Sequence, residues 1–217
     1  MKEDEIIIST IQFVKATLQG AEGGHDWFHI ERVWKNAKAI ARHENVNLFI
    51  VELAALLHDI ADAKFHDGNE NVGPETARNF LLQLEVEEST IQQVETIIRN
   101  ISFKGGNFTA GFYSPELSVV QDADRLDALG AIGIARAFNY GGFKNRELYN
   151  PDIKPDLQMT KEAYKKTSSP TLNHFYEKLL LLKDRMNTTT GKQMAEQRHR
   201  FMEHYLETFY SEWEGKL

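Results

Sequence analysis

The sequence predicts an all-α protein, and three observations support this prediction. Apolar residues recur three and four positions apart along most of the chain, which is the period of an amphipathic helix. Stretches in which apolar and polar residues alternate, as they do in half-buried strands, are scarce. Glycines and prolines stand at the borders of the periodic segments, where helices begin or end. We therefore expect an all-α chain, and its length fits one large domain or two small ones.

Composition narrows the range of functions. The chain has 217 residues and a formal net charge of -7, which argues against a protein that coats nucleic acid, since that role needs a basic face. It contains no cysteine, so disulfides, thiolate ligands and cysteine nucleophiles are excluded. The N-terminus does not resemble a signal peptide, and no apolar run approaches the roughly 20 residues of a membrane span. We expect a cytoplasmic protein without membrane partners.

Three helices are predicted before residue 61. The first ends at a group of glycines, and the second has His29 in its first turn. The third is apolar on most sides, so we expect it to be the central helix of the core. His58 and Asp59 lie at its C-terminal end. The predicted bounds are 4–19, 27–43 and about 48–60.

Three more predicted helices follow a polar loop at 61–72. Pro74 suits the first position of a short fourth helix, where its missing N–H costs nothing. Ser89 suits the N-cap of a fifth helix. A glycine-rich loop at 102–114 then leads to a sixth helix that begins at Pro115.

The last third of the chain holds three further predicted helices. One spans Ala131–Tyr140 and is stopped by the two glycines that follow it, and the other two span Leu172–Met186 and about Gly191–Trp213. The intervening segment 142–170 contains three of the five prolines and many polar residues. We expect it to be a long, partly mobile insertion that acts as a lid or an oligomer contact.

The pair His58-Asp59 is the strongest candidate for chemistry. It follows an apolar run, and polar groups in such surroundings are costly unless they are paired or bound to a metal. Neighbouring helix residues point about 100° apart, so a shared ion needs ligands from other helices. His29 can supply one, and the sixth helix can supply a carboxylate. Helical geometry does not choose among its aspartates, which could also be solvated charges. These are Asp122, Asp124 and Asp127.

The order of these motifs resembles the HD superfamily of metal-dependent phosphohydrolases. The matching segments lie within the core motifs at 25–140 and read His-Ile-Glu-Arg-Val33, Leu-Leu-His-Asp-Ile60 and Asp-Ala-Asp-Arg-Leu126. In that superfamily, the aspartate before the arginine of the third motif is a metal ligand. The resemblance therefore implies a single HD-type domain over 1–217, completed by C-terminal helices at 171–213. The implied metal ligands are His29, His58, Asp59 and Asp124.

A narrower resemblance is to bacterial HD proteins of similar length that act as nucleotide pyrophosphohydrolases. It includes His25-Asp26, the loop Asn-Ile-Ser-Phe-Lys-Gly-Gly106 and the C-terminal runs Asn173–Lys178 and Arg198–Met202. It implies a small nucleotide substrate, a (deoxy)nucleoside triphosphate cleaved to monophosphate and pyrophosphate, and Mn²⁺ as the metal. Ligation by nitrogen and oxygen alone also suits Mg²⁺, Co²⁺, Ni²⁺ or Fe²⁺.

Candidate catalytic and substrate-binding residues surround the metal motifs. Asp62 follows Asp59 by three residues and is a candidate general acid or base, although it could equally begin a polar loop. Lys64 joins it in the catalytic group because phosphates need cations. The substrate-binding candidates are His25, Arg32, Lys104, Arg125 and Asp127.

Other functions are compatible with the same motifs. The domain could hydrolyse a nucleoside monophosphate, a cyclic nucleotide or a guanosine alarmone. It could also bind a nucleotide without cleaving it and regulate a partner, although the presence of all four ligand types argues against that. A homodimer is the default expectation for an oligomer, because twofold symmetry is the commonest.

Overall fold

The regular secondary structure of the described residues is helical throughout, as the sequence predicts. The computed structural model describes residues 1–20, 26–61, 69, 71–101, 112–157 and 169–216. Its helices are α1 (Glu3–Thr17), α2 (Trp27–Ala41), α3 (Leu48–Leu57), α4 (Val72–Gln83), α5 (Glu88–Ile101), α6 (Pro115–Asp127), α7 (Gly130–Phe143), α8 (Asn173–Glu177), a 3-10 helix (Leu179–Arg185) and α9 (Thr189–Trp213). None of these described helices is both long enough and apolar enough to cross a membrane.

The first of two compact units, Met1–Asp124, is built around α3. This helix packs against α1, α2 and α5, and α4 packs on α5. All five residues from Leu53 to Leu57 are completely buried. Each such leucine stabilises the fold by about 1.5–3 kcal/mol. The prediction of a central third helix is therefore confirmed.

A polar cluster on one side joins α2 to α3. The Trp34 indole N–H donates to the Glu52 carboxylate at 2.9 Å. The same carboxylate pairs with the Lys38 ammonium at 3.1 Å, and that ammonium lies 4.6 Å from the centre of the Trp34 ring. Since α2 begins beside His29 and α3 ends beside His58, this cluster fixes the relation between the two helices that carry the histidines.

The second unit, Arg125–Leu217, contains α7, α8, the 3-10 helix and α9. Helix α9 packs against α7 and the 3-10 helix, which also packs against α8. Gly141 allows a close approach within this unit, because a Cβ there would collide with the Thr171 hydroxyl. The side chain of Thr188 caps α9 by accepting a hydrogen bond from the Gly191 N–H at 2.9 Å.

Two predicted helix starts are wrong by two residues each. Helix α4 begins at Val72, so Pro74 is its third residue and not its first. The fold tolerates this because none of the first-turn N–H groups has a partner within the helix. Helix α5 begins at Glu88, so Ser89 is not its N-cap. The Ser89 hydroxyl instead donates to the Glu87 carboxylate at 2.7 Å.

The last third departs further from the prediction. Helix α7 continues through Gly141 and Gly142 to Phe143, and Gly141 serves packing against Thr171 and not termination. The helix predicted over Leu172–Met186 is interrupted at Lys178, whose backbone angles (φ -144, ψ -56) are not helical. The result is a short α8 followed by the 3-10 helix. In the predicted insertion, 158–168 lie outside the described residues.

Candidate metal centre

His29 is held at the start of α2 by the cap of that helix. The Asp26 carboxylate accepts a hydrogen bond from the His29 backbone N–H at 2.9 Å. This contact satisfies one of the unpaired N–H groups of the first turn. The His29 side chain is only 3% exposed, so its imidazole is buried close to the point where the helix begins.

His58 directly follows α3 and is its C-cap residue. Its Nδ1 lies 2.9 Å from the Ala55 carbonyl oxygen. Since a carbonyl only accepts, this contact places the proton on Nδ1 and leaves the lone pair of Nε2 free to bind a cation. A metal-ligating histidine is commonly oriented by such a bond.

The structure brings the four predicted ligands together within the first unit. Nε2 of His29 lies 3.6 Å from Oδ1 of Asp124, and Nε2 of His58 lies 4.0 Å from the same oxygen. The ligand atoms of His29, His58 and Asp59 all lie within 4.8 Å of one another. The centres of the two imidazole rings are 5.4 Å apart, and the ring planes are inclined by 66°.

These separations suit a shared ion better than direct hydrogen bonds. Both distances to Asp124 exceed the roughly 3.2 Å limit of a good N–H···O bond. Two atoms that each ligate one divalent ion at about 2.0–2.2 Å can be at most about 4.4 Å apart, and both distances fall below that limit. Nitrogen and oxygen donors without thiolate are also the set that such ions accept. The residues therefore fit a divalent metal ion.

Exposure differs sharply among the aspartates of α6. The Asp124 side chain is 41% exposed, whereas Asp122 and Asp127 are 0% and 1% exposed. The alternative that these carboxylates are solvated charges of a helix face is therefore wrong for Asp122 and Asp127. Asp127 accepts a hydrogen bond from Nη1 of Arg136 at 2.6 Å.

For the other predicted site residues, the structure gives fewer contacts or no description. Arg32 is a partly buried residue of α2, one turn after His29. Nη1 of Arg125 donates to the Arg185 carbonyl at 2.6 Å. Roles in substrate binding for these two arginines and for Asp127 stay predictions. Four further candidates lie outside the described residues, namely His25, Asp62, Lys64 and Lys104.

Asn36 connects α2 to α6 beside Asp124, a contact that the sequence-based prediction missed. Its Nδ2 donates to the carbonyl oxygen of Ala123 at 3.4 Å, next to Asp124 on α6. Asn36 follows His29 by seven residues, which places both on the same face of α2. That spacing was visible in the sequence, but an asparagine on a helix has too many other uses to stand out.

Comparison with known proteins connects this geometry to a family. Residues 27–129 match the HD domain, a range that contains all four predicted ligands. The Bacillus subtilis (strain 168) protein YpgQ is 40% identical over 191 residues, which cover 88% of this chain and 85% of YpgQ.

Solved structures resemble the chain over nearly its whole length. An HD-superfamily hydrolase from Bacillus thuringiensis has 47% identity and a TM-score of 0.79, with 98% of this chain and 99% of that chain covered. The crystal structure of B. subtilis YpgQ in complex with ADP has 37% identity and a TM-score of 0.78, with 98% and 97% covered.

Proposed function

This chain belongs to the HD-domain superfamily of hydrolases, and on that premise we propose that it is a divalent-metal-dependent phosphohydrolase of nucleotides. The proposed reaction splits a nucleoside triphosphate, ribose or deoxyribose, into the monophosphate and pyrophosphate. The observation that carries the proposal is that potential ligand atoms of His29, His58 and Asp59 lie within 4.8 Å of one another, while Asp124 lies 3.6 and 4.0 Å from the two imidazoles.

His29, His58, Asp59 and Asp124 would hold the ion. The resemblance to nucleotide pyrophosphohydrolases favours Mn²⁺, and the same donors also suit Mg²⁺, Co²⁺, Ni²⁺ or Fe²⁺. When bound, it would supply Lewis-acid polarisation of a phosphate oxygen and a more acidic water. The chain's own contribution is orientation. The Ala55 carbonyl fixes the ring of His58, and the Asp26 cap fixes the start of the helix that carries His29.

We assign the remaining chemistry to the charged candidates that the sequence offers. Asp62 is proposed to take the proton of the attacking water, while Lys64, Lys104 and Arg32 neutralise phosphate charge. Water attacks the α-phosphorus, the bond from that phosphorus to the bridging oxygen breaks, and pyrophosphate leaves with both electrons of that bond. Asp124 faces solvent with 41% of its side chain, so a substrate has access to this edge of the site.

The nucleotide assignment is supported by a relative. YpgQ was crystallised with ADP, and this chain covers 97% of that structure at 37% identity. ADP contains the adenosine, the α-phosphate and the α–β anhydride bond that are also present in ATP. A nucleoside triphosphate, the proposed substrate, therefore differs from this ligand of a homologous protein by one additional phosphate.

Product analysis in isotopic water tests the proposal. The metal-free protein is loaded with each candidate ion in turn and incubated with a panel of ribo- and deoxyribonucleotides in ¹⁸O-water. We expect pyrophosphate and a monophosphate, with the label in the monophosphate because water attacks the α-phosphorus. Free nucleoside and phosphate would indicate a nucleotidase, and an intact panel with every metal would refute hydrolysis.

The matched variants are His58→Ala and His43→Ala. His58→Ala should lose bound metal and product formation together, because it removes the oriented Nε2. His43 is an exposed histidine beyond the end of α2, so His43→Ala should retain both.

A further inference from the structure

An arginine of α9 reaches the C-terminal end of α6. Nη1 of Arg198 donates a hydrogen bond to the carbonyl oxygen of Leu126. Leu126 lies in the last turn of α6, where carbonyls lack the usual partners of a helix interior. Arg198 also opens the run Arg198–Met202, which no step of the proposed reaction uses.

A second arginine holds the next residue of the same turn. Nη1 of Arg136 donates to the Asp127 carbonyl at 3.2 Å and to its carboxylate at 2.6 Å. The Asp127 carboxylate also attracts Arg198: burial lowers the pKa of that guanidinium, and the carboxylate opposes the shift. Two guanidinium groups thus fix the last turn of α6 through its backbone and through a buried carboxylate.

Gly130 lets Arg198 pack closely against the turn that follows α6. Its φ of +70 lies in the left-handed region that favours glycine, and a Cβ there would come within 3.2 Å of the Arg198 Cβ and Cγ. The aliphatic stem of Arg198 therefore lies directly on this turn, which restricts where its guanidinium can go.

Asp124 lies in the same continuous helix, two residues before Leu126. Its side chain is 41% exposed, while those of His29 and His58 are 3% and 5% exposed. Packing around the carboxylate therefore restrains it less than burial restrains the imidazoles. The position of the Asp124 oxygen then depends mainly on the backbone of the helix that carries it.

We propose that Arg198 and Arg136 are positioning residues for Asp124: by fixing the last turn of α6, they hold the carboxylate where it can ligate the metal. This rests on the proposed function, because it takes Asp124 to be a ligand. Partners that orient metal ligands typically change metal affinity by about 10–100-fold when they are removed.

The test measures Mn²⁺ affinity directly, by electron paramagnetic resonance of the free ion, with circular dichroism to establish that each variant is folded. Arg198→Met keeps an aliphatic stem over Gly130 but removes the donors, and its Kd should rise about tenfold or more. Arg198→Lys retains a cation and a donor and should recover part of the affinity. Arg200→Met is the matched control, since Arg200 is 72% exposed on the same helix and pairs with Glu196, and its Kd should match that of the wild type.

Arg136→Met is the second variant and should also raise the Kd. Wild-type affinity in whichever of Arg198→Met and Arg136→Met is folded overturns the proposal, even if that variant melts earlier. Asp124→Ala distinguishes failure of the proposed ligand set from failure of the positioning role. If it binds Mn²⁺ as tightly as the wild type, the ligand set itself fails; if it loses Mn²⁺ while the arginine variants do not, only the positioning role fails.

Discussion

At the scale of single residues, His174 is a titratable group that the fold keeps neutral. Burial, with smaller contributions from the Lys178 and Arg146 cations, lowers its pKa from 6.5 to about 3. Below pH 6.5 the unfolded chain takes up a proton that the folded chain refuses. The stabilisation from this histidine is therefore complete above pH 6.5 and is lost as the pH falls toward 3.

The expected loss is about 1.4 kcal/mol at pH 5.5, one unit below the unfolded pKa. His174→Gln stays neutral, so it should not lose this stabilisation. The melting temperature of the variant minus that of the wild type should therefore rise by roughly 3–6 °C when the pH is lowered from 7.5 to 5.5. Thermal melts at the two values measure this difference. His204→Gln is the control, because His204 is 77% exposed, and an equal gain there would contradict the assignment to His174.

The sequence singled out side chains that the structure groups together, but it did not predict their surroundings; their role as ligands stays a prediction. His58-Asp59 stood out because a polar pair follows five apolar residues, and such a pair needs a partner wherever the chain folds. The burial of Asp122 and Asp127 could not be predicted. Helix periodicity gives the direction of each side chain around the helix axis, but not which other element packs on that side. Arg136 lies 9 residues after Asp127 and Arg198 lies 72 residues after Leu126, so no local pattern joins them.

At the scale of elements, the N-cap of α2 connects helix stability to the metal site. Asp26→Ala removes the acceptor for the His29 N–H, which should cost about 1 kcal/mol and lower the melting temperature by about 2–4 °C. Since His29 lies in that first turn, Mn²⁺ affinity should fall as well. Asp26→Asn retains a capping oxygen and should keep most of both.

Asn47→Ala supplies the contrast. Asn47 caps α3 by accepting from the Phe49 and Ile50 N–H groups at 3.0 and 3.3 Å, at the end of α3 opposite His58. It should cost similar stability with little change in metal affinity. Melting curves and Mn²⁺ titrations of the same preparations compare the variants. If Asn47→Ala lost as much Mn²⁺ affinity as Asp26→Ala, the loss would follow from reduced stability and not from the cap beside His29.

Helix existence followed from periodicity, while helix ends depended on contacts outside the helix. The burial of Leu53–Leu57 agrees with an apolar run that has no polar face. Glycines 141 and 142 predicted a stop, yet α7 passes through them because Gly141 packs against Thr171. The break at Lys178 has no marker in the sequence, since neither glycine nor proline stands there.

At the scale of the whole molecule, metal binding should raise thermal stability. An ion that binds only the folded chain contributes about 2.7 kcal/mol at 100 times its Kd. For a chain of this size that corresponds to a rise of roughly 5–10 °C in melting temperature. Differential scanning fluorimetry with Mn²⁺ against excess chelator measures it. His58→Ala should show almost no rise, and a full rise there would mean that the ion binds elsewhere.

The organisation of the whole chain stays a prediction. Residues 1–124 and 125–217 form separate compact units, and α6 belongs to both. We propose that they act as one HD-type domain, since structures of relatives match over 98% of the chain. The homodimer, and the role of the insertion at 142–170 as a lid or contact, stay predictions as well.

The uneven burial of the proposed ligands also predicts how a bound ion would exchange. The side chains of His29 and His58 are buried, while that of Asp124 is 41% exposed to solvent. We therefore expect a bound ion to enter and leave on the Asp124 side without unfolding of the core. We expect the metal content of protein isolated from cells to follow the supply in the medium, because selection among such ions depends on availability as well as affinity. The metal preferred in catalysis must then be found by adding ions back to stripped protein.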